Sequence, residues 1–273
     1  MLFDFHTHIF PDKIAEKTIQ TLEKNILETE GVAAHACLSG TLLELKESMH
    51  RYHIDGCLIL PIATTLTQSK TINDFAASIS GKDHIYSFGS IHPMQKDWEQ
   101  ELERIKDLGL LGIKLHPEYQ GVYIDSPEAI RVLKKAEKLG LVVVLHAGHD
   151  IGIRPPVHCM PQHLSHVLSE VDGSNIVAAH MGGWRAWDEV EEYLVGSNLN
   201  FDTSYCLRDM PKKQFLRIIE HHGADKIVFG TDSPWEVQGD TADFLRSLPL
   251  SQSDYDKIAF QNAKKLLNLP ESY

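Results

Sequence analysis

The sequence predicts an α/β protein with a (β/α)8 barrel in a single domain, and three observations favour this fold. Along its 273 residues, eight short apolar runs alternate with amphipathic stretches. The interiors of these runs are uniformly apolar, as in parallel strands that are covered on both faces. Eight strand–helix units in about 250 residues also match the size of such a barrel. An open doubly wound sheet is the alternative, but no glycine-rich phosphate-binding turn follows the first run.

The eight apolar runs define the predicted strands. In chain order they are Leu2–His6, Gly56–Leu60, Ile85–Ile91, Leu111–His116, Leu141–His146, Asn175–His180, Leu199–Thr203 and Lys226–Gly230. No internal repeat or linker interrupts this alternation, so one domain is expected to cover residues 1–273.

Helices are predicted most clearly where apolar residues recur at helical spacing, in Asp97–Leu108, Pro127–Leu139 and Lys212–His222. The second of these has Ser126 at the cap position and a proline in its first turn, and Gly140 ends it. The segment Val32–Gly40 looks like an insertion after the first helix, and we expect it to form part of a lid over the barrel mouth.

Charge and composition restrict the partners. The 26 Lys and Arg residues against 38 Asp and Glu residues give a net charge of −12, which disfavours a nucleic-acid-binding protein. The N-terminus lacks the pattern of a secretory signal, and the apolar runs are too short to cross a bilayer. The four cysteines form no CxxC pair. We therefore expect a cytoplasmic enzyme with a small-molecule substrate and no nucleic-acid or membrane partner, either monomeric or assembled as a homo-oligomer.

Histidine is unusually frequent, with 16 residues, and several of them lie where barrel enzymes carry their chemistry. These residues end predicted strands at the carboxyl side, and a carboxylate follows the last strand: His6, His8, His116, His146, His180 and Asp232. The other histidines of helices and loops are expected to face solvent: His35, His50, His53, His163, His166, His221 and His222.

Strand geometry predicts that the histidines converge. Residues two apart in a strand point to the same face, so His6 and His8 project together, toward the barrel axis if Asp4 and His6 face inward. The same parity places His146 on the face of Val142 and Val144. It likewise places His180 on the same face of its strand as Ile176 and Ala178.

Imidazole and carboxylate ligands together are typical of a divalent metal site. Zn²⁺ is expected first, and Mn²⁺, Fe²⁺ or Co²⁺ also suit this ligand set. One or two ions fit the number of candidate ligands. A lone HxH motif is a weak signal, and His146 or His180 alone would be read as a core histidine. The set as a whole favours a metal.

The ordered motifs DFHTH, GIKLHPEYQG, VLHAG, AAHMGG and FGTDSPW resemble those of the amidohydrolase superfamily of metal-dependent TIM-barrel enzymes. The chain is most similar to the amidohydrolase-related branch, which includes aminocarboxymuconate-semialdehyde-type and resorcylate-type decarboxylases. The resemblance implies that His6, His8, His146 and Asp232 bind the metal. It also implies that His180 either binds a second metal or hydrogen-bonds to a metal-bound water.

The expected function is a metal-dependent hydrolase that uses activated water on a small amide, ester or lactone-like substrate. In this hypothesis Asp232 takes the proton and passes it to the leaving group, and His180 stabilises the oxyanion. The main alternative is a non-oxidative decarboxylase of a small aromatic or muconate-like acid. A TatD-like nuclease is disfavoured by the charge, and the ligand set disfavours a binding protein on a barrel scaffold.

Three further residues are candidates for substrate binding. Lys114 and His116 are two apart and share a face of the fourth strand, and Arg154 lies in the long loop after the fifth. In some members of the superfamily a lysine on the fourth strand is carbamylated and bridges two metals. The sequence permits this modification, but an ordinary pocket cation paired with Asp or Glu is the favoured interpretation of Lys114. For Arg154, an exposed loop arginine is an equally good interpretation.

Overall fold

The computed structural model describes residues 1–269 and contains only parallel strand pairs in its two sheets. The strands are β1 (Phe3–Thr7), β2 (Gly56–Ile59), β3 (Ile85–Ser87), β4 (Gly89–Ser90), β5 (Gly112–Leu115), β6 (Val142–Leu145), β7 (Ile176–Ala178), β8 (Asn200–Asp202) and β9 (Ile227–Val228). Phe88 separates β3 from β4, and the two segments together occupy one strand position. Each of the eight predicted strands is therefore present.

Backbone hydrogen bonds close the sheet into a barrel. The pairing order is β1-β2-β3 and β4-β5-β6-β7-β8-β9. The last strand returns to the first, because the Phe5 amide donates to the Phe229 carbonyl and the Asp232 amide donates to the His6 carbonyl, both at 2.8 Å. A parallel bridge between Thr7 and Ser233 extends this seam. The predicted single-domain (β/α)8 barrel is confirmed.

Helices surround the barrel: α1 (Asp12–Glu30), α2 (Leu42–Tyr52), α3 (Ser69–Ile79), α4 (Trp98–Asp107), α5 (Pro117–Gln120), α6 (Pro127–Leu139), α7 (Pro161–Val167), α8 (Trp187–Tyr193), α9 (Lys212–His222), α10 (Gln238–Ser247), α11 (Gln252–Asp256) and α12 (Asn262–Leu266). A 3-10 turn, Ala224–Lys226, precedes β9, and a π-helical turn, Lys257–Gln261, joins α11 to α12. As predicted, the Ser126 hydroxyl caps α6, and Gly140 ends it with a φ of 69°. No helix within residues 1–269 is both long and apolar enough to cross a membrane.

Apolar side chains fill the barrel interior in layers. Most come from alternate positions in or directly after the strands, and α12 and the residue that follows it contribute the last two: Phe3, Phe5, Leu58, Leu60, Phe88, Val142, Val144, Val177, Val228, Ala263 and Leu267. The other face of the strands packs against the surrounding helices. This packed core leaves the chemistry to the residues that follow the strands at their carboxyl ends.

A bulge in β1 corrects the expected orientation of Asp4. Asp4 pairs with Cys57 and Thr7 pairs with Ile59, so β1 contains one residue more than β2 between these pairs. Asp4 consequently lies on the outer face, where it accepts a 2.7 Å hydrogen bond from Gln238 of α10. Because the extra residue reverses the alternation, His6 and His8 point into the barrel mouth although Asp4 does not.

The end of β7 requires a similar correction. Ile176 and Ala178 belong to the outer cluster, and Val177 faces the interior. His180 therefore does not reach the mouth through strand parity. It does so because the chain leaves the strand and His180 adopts a left-handed conformation, with φ at 60°.

His222 is also a correction, since this side chain is buried rather than solvent-facing. Only 4% of its surface is exposed. Its Nε2 donates to the Leu199 carbonyl at 2.8 Å, and its Nδ1 accepts from the Gly196 amide at 3.1 Å. Its neighbour His221 is exposed, as expected.

Candidate metal centre

Three side chains from the two strands at the barrel seam converge at the mouth. The Nε2 atoms of His6 and His8 lie 3.2 Å apart, and each lies 3.2–3.3 Å from the Asp232 Oδ1. These separations are close to the edge of a tetrahedron about a metal, which is about 3.4 Å for metal–ligand distances of about 2.1 Å. His6 and Asp232 are buried and His8 is half-buried.

The outer nitrogens of both imidazoles are engaged by hydrogen-bond acceptors. The His8 Nδ1 lies 2.7 Å from the Leu60 carbonyl, and the His6 Nδ1 lies 2.8 Å from the Asp202 carboxylate. Because these partners accept and cannot donate, each Nδ1 carries the proton. Each Nε2 then directs a lone pair at the other Nε2 and at the carboxylate of Asp232. Three electron-pair donors without an intervening proton are an arrangement that a cation would stabilise.

A second imidazole pair has the same character. The His146 Nε2 lies 3.0 Å from the His149 carbonyl, and the His180 Nδ1 lies 3.0 Å from the Ser204 carbonyl. The inner atoms, His146 Nδ1 and His180 Nε2, face each other at 3.1 Å with a lone pair each. The rings of His6 and His180 are 5.4 Å apart, so the two groups share the mouth. The structure thus brings together all five residues expected as metal ligands.

The charge state of the centre follows from burial. Burial, and then the Lys114 ammonium, lower the pKa of His6 to about 4, so this ligand is a neutral imidazole at neutral pH. Burial alone would raise the pKa of Asp232, but a proton that enters the centre is held by the His6 imidazole in preference to the carboxyl group, and this interaction together with the contact to His8 keeps the pKa of Asp232 below its usual range. Neutral imidazole and ionised carboxylate are the forms that bind metals.

Lys114 places a cation against the same centre. Its side chain is buried, and Nζ lies 3.3 Å from the His6 Nε2. Burial lowers its pKa to about 8, although the carboxylates of Asp202 and Asp232 oppose this effect. Within residues 1–269, Lys114 forms no ion pair at 4.0 Å or less with a carboxylate. The carboxylate partner expected for Lys114 is therefore absent among the described residues.

His116 lies beside the centre rather than in it. Its ring stacks on His146 at 4.1 Å, and its Nε2 lies 3.4 Å from the Asp150 Oδ2. Asp150, His116 and His146 also have the spacing of a ligand group. The His146 atom that faces Asp150 is Nε2, which donates its proton to the His149 carbonyl. Because this nitrogen has no free lone pair, these three residues are not arranged to bind a metal. His116 and Asp150 instead line the wall of the mouth.

Arg154 is not brought to the centre. Its guanidinium is exposed and donates to the Glu28 carbonyl at 2.8 Å, at the C-terminal end of α1. A cation near the last carbonyls of a helix stabilises the helix end. The expectation that Arg154 contacts substrate finds no support in this position.

The segment Val32–Gly40 reaches the loop that carries Asp232. The Cys37 amide donates to the Pro234 carbonyl at 2.6 Å, and the Phe10 amide donates to the Gly40 carbonyl at 2.8 Å. These contacts lie at the rim of the mouth, consistent with the expected position of a lid. Its movement stays a prediction.

Two carboxylates of the mouth were missed by the sequence analysis. Asp202 ends β8 and bonds to His6, and Asp150 follows β6 by five residues. The position of Asp202 at the carboxyl end of a predicted strand was the available signal. Asp150 had no such signal, because the course of its loop depends on Gly148, whose φ is 84° and where a Cβ would lie 2.2 Å from the Trp184 amide nitrogen.

A family model described as amidohydrolase matches residues 4–269. The chain belongs to the amidohydrolase family. This match spans β1 through the residues after α12, so it includes every residue of the centre. It confirms the resemblance carried by the five sequence motifs.

Known relatives of this amidohydrolase include decarboxylases. A γ-resorcylate decarboxylase from Rhizobium is 25% identical in a match 252 positions long that covers 74% of this chain and 76% of the relative. An uncharacterised TIM-barrel protein from Bordetella bronchiseptica has a TM-score of 0.77 at 19% identity, covering 98% of both chains. A 5-carboxyvanillate decarboxylase from Novosphingobium aromaticivorans, solved with manganese and a nitrobenzoic acid, has a TM-score of 0.74 at 15% identity, covering 98% of this chain and 97% of that one.

Proposed function

We propose that this amidohydrolase is a divalent-metal-dependent, non-oxidative decarboxylase of a small aromatic or muconate-like carboxylic acid. The observation that carries the proposal is the convergence of unprotonated donor atoms from His6, His8 and Asp232 beside the Lys114 ammonium. Similarity to a γ-resorcylate decarboxylase over three quarters of the chain favours this reaction over the hydrolysis expected first.

The residues present fit a bound divalent ion. His6, His8 and Asp232 would hold it, and His146 and His180 face the same space with unprotonated nitrogens. Manganese in a structural neighbour supports a divalent metal without favouring zinc, the metal expected first. Bound there, the ion would supply a Lewis acid that polarises an oxygen of the substrate.

In the proposed reaction, Lys114 binds the substrate carboxylate and Asp232 transfers a proton. The Lys114 ammonium would bind the substrate carboxylate and orient it toward the ligand group. When the bond between the ring carbon and the carboxyl carbon breaks, its electron pair stays on the ring carbon and carbon dioxide leaves. Asp232, ionised in the free protein, would take up a proton from solvent water and deliver it to that carbon. One proton thus replaces one carbon dioxide.

Hydrolysis of a small amide, ester or lactone is the second candidate. The observation that favours it is the position of the Asp232 carboxyl group 3.2–3.3 Å from the ligand atoms of His6 and His8, because a carboxylate there could accept a proton from water. The two candidates use the same residues and differ in whether oxygen from water enters the product.

A labelling experiment tests the proposal. Protein loaded with Mn²⁺ is incubated in D₂O with 2,6-dihydroxybenzoate, 5-carboxyvanillate and other hydroxylated aromatic acids, and carbon dioxide and product deuterium are measured. Decarboxylation leaves one deuterium on the carbon that lost the carboxylate. Release of product with ¹⁸O from labelled water, from amides or lactones but not from the acids, would overturn the proposal in favour of hydrolysis. The Asp232→Asn variant is the control for catalysis by the centre.

A further inference from the structure

Asp202 connects two of the candidate ligands that lie on different strands. The residue is fully buried, and its Oδ2 lies 2.8 Å from the His6 Nδ1. Its Oδ1 accepts from the backbone amides of His180 and Ser204, each at 3.0 Å, and from the Ser204 hydroxyl. One carboxylate thus holds the ring of His6 on β1 and the backbone of His180 after β7.

Ser204 completes this connection. Its hydroxyl oxygen lies 3.0 Å from the Nδ1 of His6 and 3.0 Å from the Nδ1 of His180. Its carbonyl lies 3.0 Å from the same His180 nitrogen. Since the hydroxyl proton is directed at Asp202, the oxygen faces both rings as an acceptor.

An ionised carboxylate can accept hydrogen bonds and cannot donate one. A ring nitrogen beside it is therefore kept protonated, and the opposite nitrogen keeps its lone pair. Metal-binding histidines commonly depend on such a partner, whose loss reduces metal affinity about 10- to 100-fold. His6 needs this control in particular, because its Nε2 would otherwise compete for a proton with the His8 Nε2 at 3.2 Å.

We propose that Asp202, supported by Ser204, is the positioning residue that sets the tautomer of His6 and holds His180 in its left-handed conformation, so that both direct Nε2 to the metal. The inference rests on the metal centre proposed above but not on the reaction. Without Asp202, the positive φ of His180 loses the hydrogen bond that anchors its amide.

The Asp202→Asn variant tests the role with little change in shape. The side-chain oxygen of Asn would stay with the amides of His180 and Ser204, so its NH₂ group would face the His6 Nδ1. That nitrogen would have to accept, which moves the proton to Nε2 and blocks metal binding. A similar exchange beside a catalytic histidine in serine proteases preserves the geometry but stabilises the wrong tautomer.

Two measurements that do not require enzymatic turnover report on the effect of the Asp202→Asn substitution. Mn²⁺ affinity, measured from the electron paramagnetic resonance signal of the free ion, is expected to fall about 10- to 100-fold. The ¹⁵N chemical shifts of the His6 ring in the metal-free protein should change from protonated Nδ1 to protonated Nε2. The control is Glu101→Gln, which removes a buried carboxylate on α4 that is bonded to Asn73 and Arg104 and to none of the candidate ligands, and should change neither readout.

Unchanged His6 shifts and an affinity within threefold of wild type in Asp202→Asn would overturn the proposal. If circular dichroism shows that this variant is unfolded, the ¹⁵N shifts of His6 in the metal-free wild type decide. A proton on Nδ1 would support the role of Asp202, and a proton on Nε2 would refute it. Ser204→Ala, which keeps the carboxylate, then tests the supporting part of Ser204, through altered Nδ1 shifts of His6 and His180. Absence of decarboxylation would overturn the proposed reaction alone, because the tautomer is measured without substrate or metal.

Discussion

His222 should make the stability of the protein depend on pH between about 4 and 6.5. Its ring stacks on Phe201 with centroids 4.0 Å apart, its Nε2 donates to Leu199 and its Nδ1 accepts from Gly196. A second proton on Nδ1 would meet an N–H donor. Burial lowers the pKa of His222 to about 4, although the bond to Leu199 opposes this shift.

The magnitude follows from the difference between the folded and unfolded pKa values. Above pH 6.5, His222 is neutral in both states and its contribution to stability is complete. As the pH falls below 6.5, His222 becomes protonated in the unfolded chain, whereas in the folded protein it stays neutral until about pH 4. At 1.36 kcal/mol per pKa unit, the free energy of unfolding should decrease by about 3 kcal/mol across this window.

Urea unfolding from pH 8 to pH 4 in the presence of EDTA measures this contribution without metal-linked protons. The His222→Gln variant should be less stable than wild type at pH 8, because packing and a hydrogen bond are lost. Below pH 6.5, its stability should depend less on pH than that of wild type. His221→Gln, at the exposed neighbouring position, is the matched control and should follow wild type. Parallel curves for wild type and His222→Gln would refute the reasoning.

Three further predictions concern the mouth. Asp232→Asn should retain Mn²⁺ but lose about 10²- to 10⁴-fold in turnover if Asp232 moves the proton, and unchanged turnover of an accepted acid would reject that role. Lys114→Met should weaken binding of an aromatic acid about tenfold or more by calorimetric titration, and equal affinities would remove Lys114 from the substrate site. Burial, reinforced by Asp232, raises the pKa of Glu236 to about 7. As the pH rises from 4.5 to 7, Glu236 therefore ionises more readily in the unfolded chain than in the folded protein, and the free energy of unfolding decreases. Glu236→Gln should therefore be more stable than wild type at pH 8 by up to about 3 kcal/mol and lose that advantage near pH 4, and a urea midpoint advantage that does not change with pH would contradict this.

The chemistry could be only partly derived from the sequence. The five motifs identified the amidohydrolase family, and the histidines and Asp232 at strand ends indicated a metal. Hydrolysis was nevertheless expected first, and a decarboxylase relative now favours the alternative. Both reactions need the same ligand group and the same proton-transferring carboxylate, so these residues cannot distinguish the reactions by themselves.

The barrel and the approximate ends of its strands could be predicted from the sequence, because both follow from local apolar patterns and from glycine and proline positions. The helix Pro127–Leu139 has the predicted bounds for the same reason: its cap and its terminating glycine lie within the chain segment itself. Placing His6, His8 and His146 at the mouth also required only the rule that parallel strands end at one edge.

The directions of those side chains and the hydrogen-bond partners that orient them depend on contacts made only in the folded barrel. The β1 bulge separates Asp4 from His6, and the left-handed turn at His180 replaces the expected strand parity. Asp202 bonds to His6, which lies 196 residues earlier in the sequence, and Arg154 bonds to a carbonyl of α1 that lies 126 residues earlier. The physical reason is the same in each case: these contacts pair groups far apart in the chain, and only the closed barrel brings their partners within hydrogen-bonding distance.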